Sequence, residues 1–463
     1  VRSSTNLRFD INPKHFDWPH LHFYLNYFIY EIFIKFRGLL QILDLQKTLS
    51  PIFPIIWKDP LVFYLISRLV AVFMGALTIV PVYLAAKRIF NKKVAILAGA
   101  LFATLPFHVH TSHYALIDVP MTFWISWALL FCSMIYLTGK SRYFVLTGLF
   151  IGFAASTKYN GGLLAFIVPL ALAVRIFDRK DTLLKFKHFL NLVYSGIAAF
   201  IGFFVGTPFF IFDYKTFSRT DSPVGAFWQF KNVGKVELSV HMQQLWEAFT
   251  SMVIHDVGYV VMVLFIISLV LIFYNLIIRK DFKPLMFIIP ALFVLIYVSS
   301  FEKNRSHYYI NSYPFLVLSA TYVIYTILEF VKSRAFFIIF FGLLLLIPTY
   351  FSLKISYVLA QKDTRVELYE WLLENTNSRD FLVYDTSGFV EVFSKFPDNR
   401  KKKGLNKENL KEANFLIINL PSEEHDEYLK EMHPKNSYTA GLEELKYIPN
   451  TNRRGPHIYI YGK

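Results

Sequence analysis

Cysteine occurs once in the 463 residues, at Cys132, inside an apolar run, so no intrachain disulfide can form and cysteine says nothing of compartment. There is no paired CxxC motif for a structural metal, no glycine-rich phosphate loop of the nucleotidase kind, no internal repeat and no heptad run. Charge is sparse as well, at 17% of residues. Zinc modules, P-loop enzymes, solenoids and coiled coils are thereby set aside. The chain opens on Val1 with no methionine, no signal peptide and no first apolar span, which reads as a truncation that has lost an upstream helix.

What is present in excess is apolar and aromatic side chain. The chain is 55% hydrophobic and 18% aromatic, with 49 phenylalanines, too apolar for an ordinary water-soluble domain. Apolar runs of near-spanning length number about ten, at 60–86, 94–109, 120–137, 143–156, 163–174, 189–205, 257–278, 284–298, 310–331 and 335–353. The net charge of +15 does not mark a nucleic-acid surface, because the basic residues punctuate alternate loops: Lys87, Arg88, Lys92 and Lys93, then Lys140 with Arg142, the 175–187 segment, Arg279 with Lys280 and Lys283, and Lys332 with Arg334. Retention of Lys and Arg on the cytoplasmic side places those loops inside and the opposite ones outside. The predicted architecture is an all-α polytopic membrane bundle with interfacial helices and a small external C-terminal α/β domain. Its parts are an external first loop at 1–59, a transmembrane domain at 60–355 and an extracytoplasmic domain at 356–463.

Along the chain, 21–45 is apolar but interrupted by Asn26, Glu31, Lys35, Arg37 and Gln41, which suits a helix lying in the membrane interface. The 207–256 loop, with Trp228 and Trp246, predicts one or two amphipathic surface helices. In the tail, 363–375 reads as a helix and 381–384, 415–420 and 458–461 read as strands. The run from 143 to 174 is too long for one helix and breaks at Thr157-Lys158-Tyr159-Asn160-Gly161-Gly162. An ammonium beside two glycines and open helix-end amides suits a phosphate at shallow depth, the alternative being a lysine that snorkels to the surface. Arg68, a few turns into a span, either lines a wet cavity or anchors in the headgroups. Asp118, in a polar island between two runs, is either a helix-capping loop acid or an active-site acid at an external membrane face.

Several stretches, in order and on alternate faces, carry a likeness: Asp10-Ile11-Asn12-Pro13 with Phe16-Asp17-Trp18-Pro19; Ser67-Arg68-Leu69-Val70 and Gly75-Ala76-Leu77-Thr78; Ala86-Lys87-Arg88-Ile89-Phe90; Ser112-His113-Tyr114-Ala115 with Asp118-Val119-Pro120; Gly148 and Gly152 through Thr157-Lys158-Tyr159; Gly206-Thr207-Pro208; His307-Tyr308 ahead of Pro314; and Asp363-Thr364-Arg365 with Trp371. Together they resemble the dolichyl-phosphate-mannose protein mannosyltransferase-like family, membrane glycosyltransferases of the GT-C fold related to glycosyltransferase family 39.

That resemblance implies an inverting transferase that takes a sugar from a polyprenyl- or dolichyl-phosphate-linked donor to a protein, lipid or glycan acceptor at the extracytoplasmic face of the cell membrane. It implies a principal catalytic Asp a few residues before the Asn-Pro segment, ahead of Val1, so the chain alone is expected to be inactive without it. Asp118 is then the second carboxylate, for the acceptor or a metal, and Lys158, Arg68, Arg305 and Tyr308 are candidates for the donor phosphate. The family commonly has Arg-Tyr where this chain has His307-Tyr308, with Arg305 the nearest replacement cation. Asp17, with His20, His22 or His113, is a candidate for the acceptor or for a divalent metal ion, the one cofactor left open. The rival readings are a transporter or lipid flippase, and a non-catalytic subunit of a glycan assembly complex.

Overall fold

A computed structural model describes residues 2–462 apart from 60, 180–185, 233, 331–333, 385–388, 404–411, 419–442 and 452–453. The chain divides into two compact units, Val1–Ser352 and Leu353–Lys463.

The first unit is helical. Its principal elements are α1 (Leu21–Ile42), α2 (Leu61–Ile89), α3 (Lys92–Ala103), α4 (Pro106–Ser112), α5 (Asp118–Thr138), α6 (Ser141–Thr157), α7 (Ile167–Arg179), α8 (Phe186–Gly206), α9 (Val253–Val257), α10 (Tyr259–Tyr274), α11 (Leu285–Ser299), α12 (Tyr313–Phe330) and α13 (Arg334–Ala360), the last running on into the second unit. Among the described residues seven helices are long and apolar enough to cross a membrane, or eight if the bent pair α3 and α4 is one span. The chain is an integral membrane protein.

The expected ten runs are all helical, but three of them are not simple spans. The 94–109 run bends by 57° between α3 and α4, where Pro106 cannot continue the hydrogen-bond ladder. Helices α6 and α11 are 17 and 15 residues long, short of the roughly 20 that a hydrocarbon core requires. Pro60, the predicted start of the first run, Val331, the predicted end of the ninth, residues 180–185 of the basic 175–187 segment and Lys332, one of the basic punctuation marks, lie outside the described residues. Helix α1 carries Glu31, Lys35 and Arg37 along 22 residues, buries Tyr24 and Tyr30, and exposes Phe28, Ile32 and Phe36. In the 207–256 loop the helix Leu238–Glu247 exposes Leu238, Met242 and Trp246, an apolar stripe at four-residue spacing.

Helices α6 and α8 meet at glycine. A Cβ on Gly148 would lie 2.0 Å from the Ser195 carbonyl oxygen, and one on Gly152 would lie 2.2 Å from that of Ala199. Across the seam, a Cβ on Gly202 would lie 2.5 Å from the Leu149 carbonyl oxygen. Small residues four apart let two backbones touch where no hydrophobic effect draws helices together. Gly206 sits against Ser156 and Leu21, and the next hydroxyl, on Thr207, bonds both Ser156 Oγ at 2.8 Å and the His20 amide at 3.1 Å. The Gly-Thr-Pro motif is thus a junction of α1, α6 and α8.

The second unit holds α14 (Thr364–Asn375), capped by the Asp363 side chain, and five strands: β1 (Leu382–Tyr384), β2 (Lys401–Lys403), β3 (Phe415–Ile418), β4 (Glu443–Ile448) and β5 (Ile458–Gly462). The order is β2-β1-β3-β5-β4, parallel across β2-β1-β3 and antiparallel across β3-β5-β4. Side chains alternate between faces: Leu382, Tyr384 and Ile417 join Leu368 and Leu372 of α14, while Val383, Leu416 and Ile418 pack on the other side. The helix and the three inner strands match the sequence reading, although residues 419 and 420 of the second predicted strand lie outside the described residues. The edge strands β2 and β4 were not expected, because Lys401-Lys402-Lys403 and Glu443-Glu444 carry charge where an inner strand carries apolar residues.

Replacing Gly152 with valine is expected to destabilise the protein by about 1–3 kcal/mol or more through overpacking. Gly196→Ala, on the same helix pair but with nothing within 4 Å of the new Cβ, should be tolerated. Thermal melting of both variants in detergent checks the contrast.

Candidate active site

Asp118 opens α5, with Pro120 in the first turn, and its backbone carbonyl accepts the Thr122 hydroxyl at 2.9 Å. Gly75 of α2 lets the start of α5 come close, since a Cβ there would meet Ser112 Oγ at 2.4 Å and Val119 Cγ1 at 3.2 Å. The carboxylate therefore sits at a helix N-terminus, where the peptide dipoles favour negative charge.

Lys158 reaches it from the far side of a glycine turn. Helix α6 ends at Thr157, Lys158 takes an extended conformation (φ −153°, ψ 130°), and a 3-10 segment Tyr159–Phe166 folds back. Gly161 makes the fold possible, because a Cβ would fall 2.6 Å from the Ala154 carbonyl carbon. The turn carries the lysine sideways, and its Nζ donates to Asp118 Oδ1 at 2.6 Å. The two side chains are 6% and 5% exposed. Two charges so buried require each other: their desolvation is offset only by close pairing and further polar contacts.

Aromatic rings complete the surroundings of the ammonium. The Tyr308 ring lies 4.7 Å and the Trp18 ring 5.6 Å from Lys158 Nζ. Trp18 arrives through the N-terminal segment, held by Asn12 Nδ2 donating to Asp213 Oδ2 at 2.9 Å and Tyr159 Oη donating to the Phe16 carbonyl at 2.9 Å. Tyr308 closes a short 3-10 turn, Ser306–Tyr308, and stacks edge-on against His307 with centroids 4.3 Å apart. His307 is half-buried and feels the charges of Asp118, Lys158 and Arg305.

Of the residues singled out from the sequence, the structure brings together Asp118, Lys158 and Tyr308, with Arg305 exposed at the entry to the same turn. Arg68 is exposed on α2 and makes no hydrogen bond or ion pair with Asp118 or Lys158; its neighbour Ser67 bonds the Tyr30 hydroxyl of α1. Asp17 Oδ1 is held by His15 Nδ1 at 2.6 Å, and His20 Nε2 faces the His15 carbonyl at 2.7 Å. Burial pushes the His20 imidazole down to about 4, so the ring is neutral. His113 is exposed and turns Nδ1 onto the Val109 carbonyl at the end of α4. His22 is buried with both ring nitrogens unpartnered, and burial lowers it to about 4 as well. These residues do not converge on one point, and among the described residues no group of three or more His, Cys, Asp or Glu can hold a metal ion. Trp18 was quoted in a motif without a role, and its place over Lys158 could not be read from sequence. Asp256 was missed: it is buried on α9, accepting from Tyr313 Oη at the start of α12 at 3.1 Å.

Removing the lysine as Lys158→Ala leaves Asp118 buried without its cation, at an expected cost of about 3–5 kcal/mol. The double variant Asp118→Asn with Lys158→Met should recover much of that loss in thermal melting.

Comparison with known proteins gives three results. No curated protein sequence matches the chain. Among solved structures, the oligosaccharyltransferase of Archaeoglobus fulgidus in its apo form is 14% identical over 87% of this chain and 62% of its own, with a TM-score of 0.46. The archaeal oligosaccharyltransferase AglB from the same organism, in complex with an inhibitory peptide and a dolichol-phosphate, is 14% identical over 95% of this chain and 66% of its own, with a TM-score of 0.47. ArnT from Cupriavidus metallidurans bound to undecaprenyl phosphate is 13% identical over 96% and 88%, with a TM-score of 0.44. The chain spans less than two thirds of the oligosaccharyltransferase chains it matches in apo and zinc-and-sulfate forms. Residues 65–205, which contain Arg68, Asp118 and Lys158, match the family model described as dolichyl-phosphate-mannose-protein mannosyltransferase, the family that the motifs resemble.

Proposed function

We propose that the chain belongs to an inverting glycosyltransferase of GT-C type, moving a sugar from a polyprenyl-phosphate-linked donor to an acceptor on the extracytoplasmic side of the cell membrane. The observation that carries this reading is the meeting of Asp118 and Lys158, forty residues apart, within the stretch that matches the mannosyltransferase family. Transfer from a lipid phosphate calls for a carboxylate to orient and help deprotonate the acceptor hydroxyl, and for cations to stabilise the departing phosphate. Asp118 takes the acceptor side. Lys158 has three N–H donors and uses one on Asp118, so a phosphate oxygen can be held by another without breaking the pair.

Tyr308 and Arg305 stand on the phosphate side, and Arg68, on an exposed face of α2, is left to the lipid headgroup region. Asp17, His20 and His113 take no part as metal ligands in this reading. The 1–59 segment and the 356–463 domain lie outside the membrane on the acceptor side, and the acceptor itself is a protein, lipid or glycan hydroxyl. The pair joins the first residue of α5 to the residue that follows α6, at the ends of two apolar helices rather than at their middles. That placement supports surface chemistry over passage through the midplane, where carriers keep their broken helices.

The test is transfer of radiolabelled sugar from a polyprenyl-phosphate donor by the full gene product in proteoliposomes. Lys158→Ala should cut transfer by 100-fold or more, on the order of one lost charge-assisted contact in the transition state, with a raised donor KM. Asp118→Asn should lower kcat chiefly. If Asp118→Asn and the neutral double variant both turn over at the wild-type rate, the pair is only a structural tie and the transferase reading is lost.

A further inference from the structure

Trp18 lies against Lys158, yet the proposed chemistry gives it no part, and the chain holds its indole in place from both sides. Two residues before it, the Phe16 amide donates to the Val224 carbonyl, and the Phe16 carbonyl accepts from Tyr159 Oη at 2.9 Å. Two residues after it, the His20 amide donates to Thr207 Oγ1 at 3.1 Å, and His20 Nε2 donates to the His15 carbonyl at 2.7 Å. The main chain on either side of Trp18 is thus tied to the glycine turn after α6, to the Gly-Thr-Pro junction and to the loop at Val224. The freedom that remains belongs to the side chain. Its ring is 40% exposed and lies 5.6 Å from Lys158 Nζ. Among the described residues its indole N–H has no hydrogen-bond partner and its ring stacks on no other ring. Tyr308, the second ring on the ammonium, is by contrast packed edge-on against His307 and Phe301, with centroids 4.3 and 6.4 Å apart.

We propose that Trp18 is the platform for the donor's sugar: a pyranose ring stacks its C–H face on the indole while Lys158 holds the phosphate to which that sugar is joined. This rests on the donor reading above and adds to it a residue that contacts the sugar.

Tethering sets the distance. A charge-assisted contact puts a phosphate oxygen about 2.8 Å from Nζ. The anomeric carbon is bonded to another oxygen of the same phosphate, so the sugar begins within a few ångströms of that contact, the range in which the indole lies. The C–H face of a pyranose is apolar and slightly positive, and an aromatic face is negative, so the two attract; the free indole N–H adds one donor for a sugar hydroxyl. Mounting the ring on a main chain tied at both ends removes much of the ordering cost that a mobile side chain would incur on binding. A tryptophan that only anchored the chain among lipid headgroups would turn its ring away from the bundle, as the exposed Phe28, Ile32 and Phe36 of α1 do, and not toward a buried ammonium.

The experiment measures binding of two lipids to the full gene product in detergent, alongside thermal melting. One is undecaprenyl phosphate mannose; the other is undecaprenyl methyl phosphate, a diester of the same charge with no sugar. Trp18→Ala is expected to bind the mannosyl lipid roughly tenfold more weakly than the wild type, the worth of a stacked ring and one hydrogen bond, and the methyl ester within about twofold of it. Trp18→Leu keeps an apolar cover over the ammonium without an aromatic face and should lose as much, which serves the test if the alanine variant fails to fold. Trp18→Phe keeps the stack but not the N–H and should fall between leucine and the wild type. If alanine and leucine weaken both lipids alike, Trp18 acts on the phosphate grip or on seating in the membrane, and the proposal fails. It fails also if the variants bind both lipids as the wild type does, or if the wild type takes the methyl ester and not the mannosyl lipid; in these cases the donor reading stands. A wild type that binds neither lipid overturns the donor reading and this role with it.

Discussion

The structure of the site depends on one buried ion pair. Asp118 and Lys158 are each almost fully removed from solvent and lie 2.6 Å apart, so neither could be tolerated without the other. The surrounding architecture meets that constraint from both sides. The acid is given the positive end of a helix dipole and close access through Gly75; the base is swung out of line with α6 by a turn that only Gly161 permits. Two aromatic faces, from segments about 290 residues apart in sequence, then cover the ammonium without neutralising it. The result is a pair that is neutral as a whole but keeps a cation's spare donors beside an acid's spare lone pairs.

The glycines that matter are spent at contacts between backbones. Gly148, Gly152 and Gly202 bring α6 and α8 together, and Gly206 with Thr207 joins them to α1. The register of α6 along α8 fixes where α6 ends, and so fixes the height of Lys158. The same junction holds the His20 amide, and the turn of chain before it carries Trp18 to the lysine. Packing in the bundle and geometry at the site are therefore one problem: a slip between α6 and α8 would move the lysine away from a carboxylate that has no other ion-pair partner among the described residues.

How far the sequence could be read depended on what each residue answers to. Apolar runs answer to the bilayer, a uniform solvent, so every run proved helical; length and the Pro106 bend then reduced the number of simple spans to seven or eight. In the second unit the inner strands announced themselves through Leu382-Val383-Tyr384 and Phe415 to Ile418, whereas the edges β2 and β4 are written in lysine and glutamate, as edges that must resist further pairing are. Asp118 and Lys158 stood out because charge is rare between apolar runs. Asp256 did not, since it closes a long polar loop in which one more acid carries no signal.

Sequence alone determined that this is a membrane protein of many helices with a small mixed α/β unit behind it, and that a few ionisable residues lie at the ends of its spans. It could do so because hydropathy and turn chemistry are local properties, set by a residue and its near neighbours. Which of those ionisable residues meet was decided only in three dimensions: Lys158 with Asp118 and under Tyr308, Arg68 on an outward face, and Asp17, His20 and His113 each held by its own neighbours in the chain. Partnership between charges forty or more residues apart depends on the angle and register at which helices cross. Those are set by close contacts such as Gly152 against Ala199, which no span of consecutive residues encodes by itself.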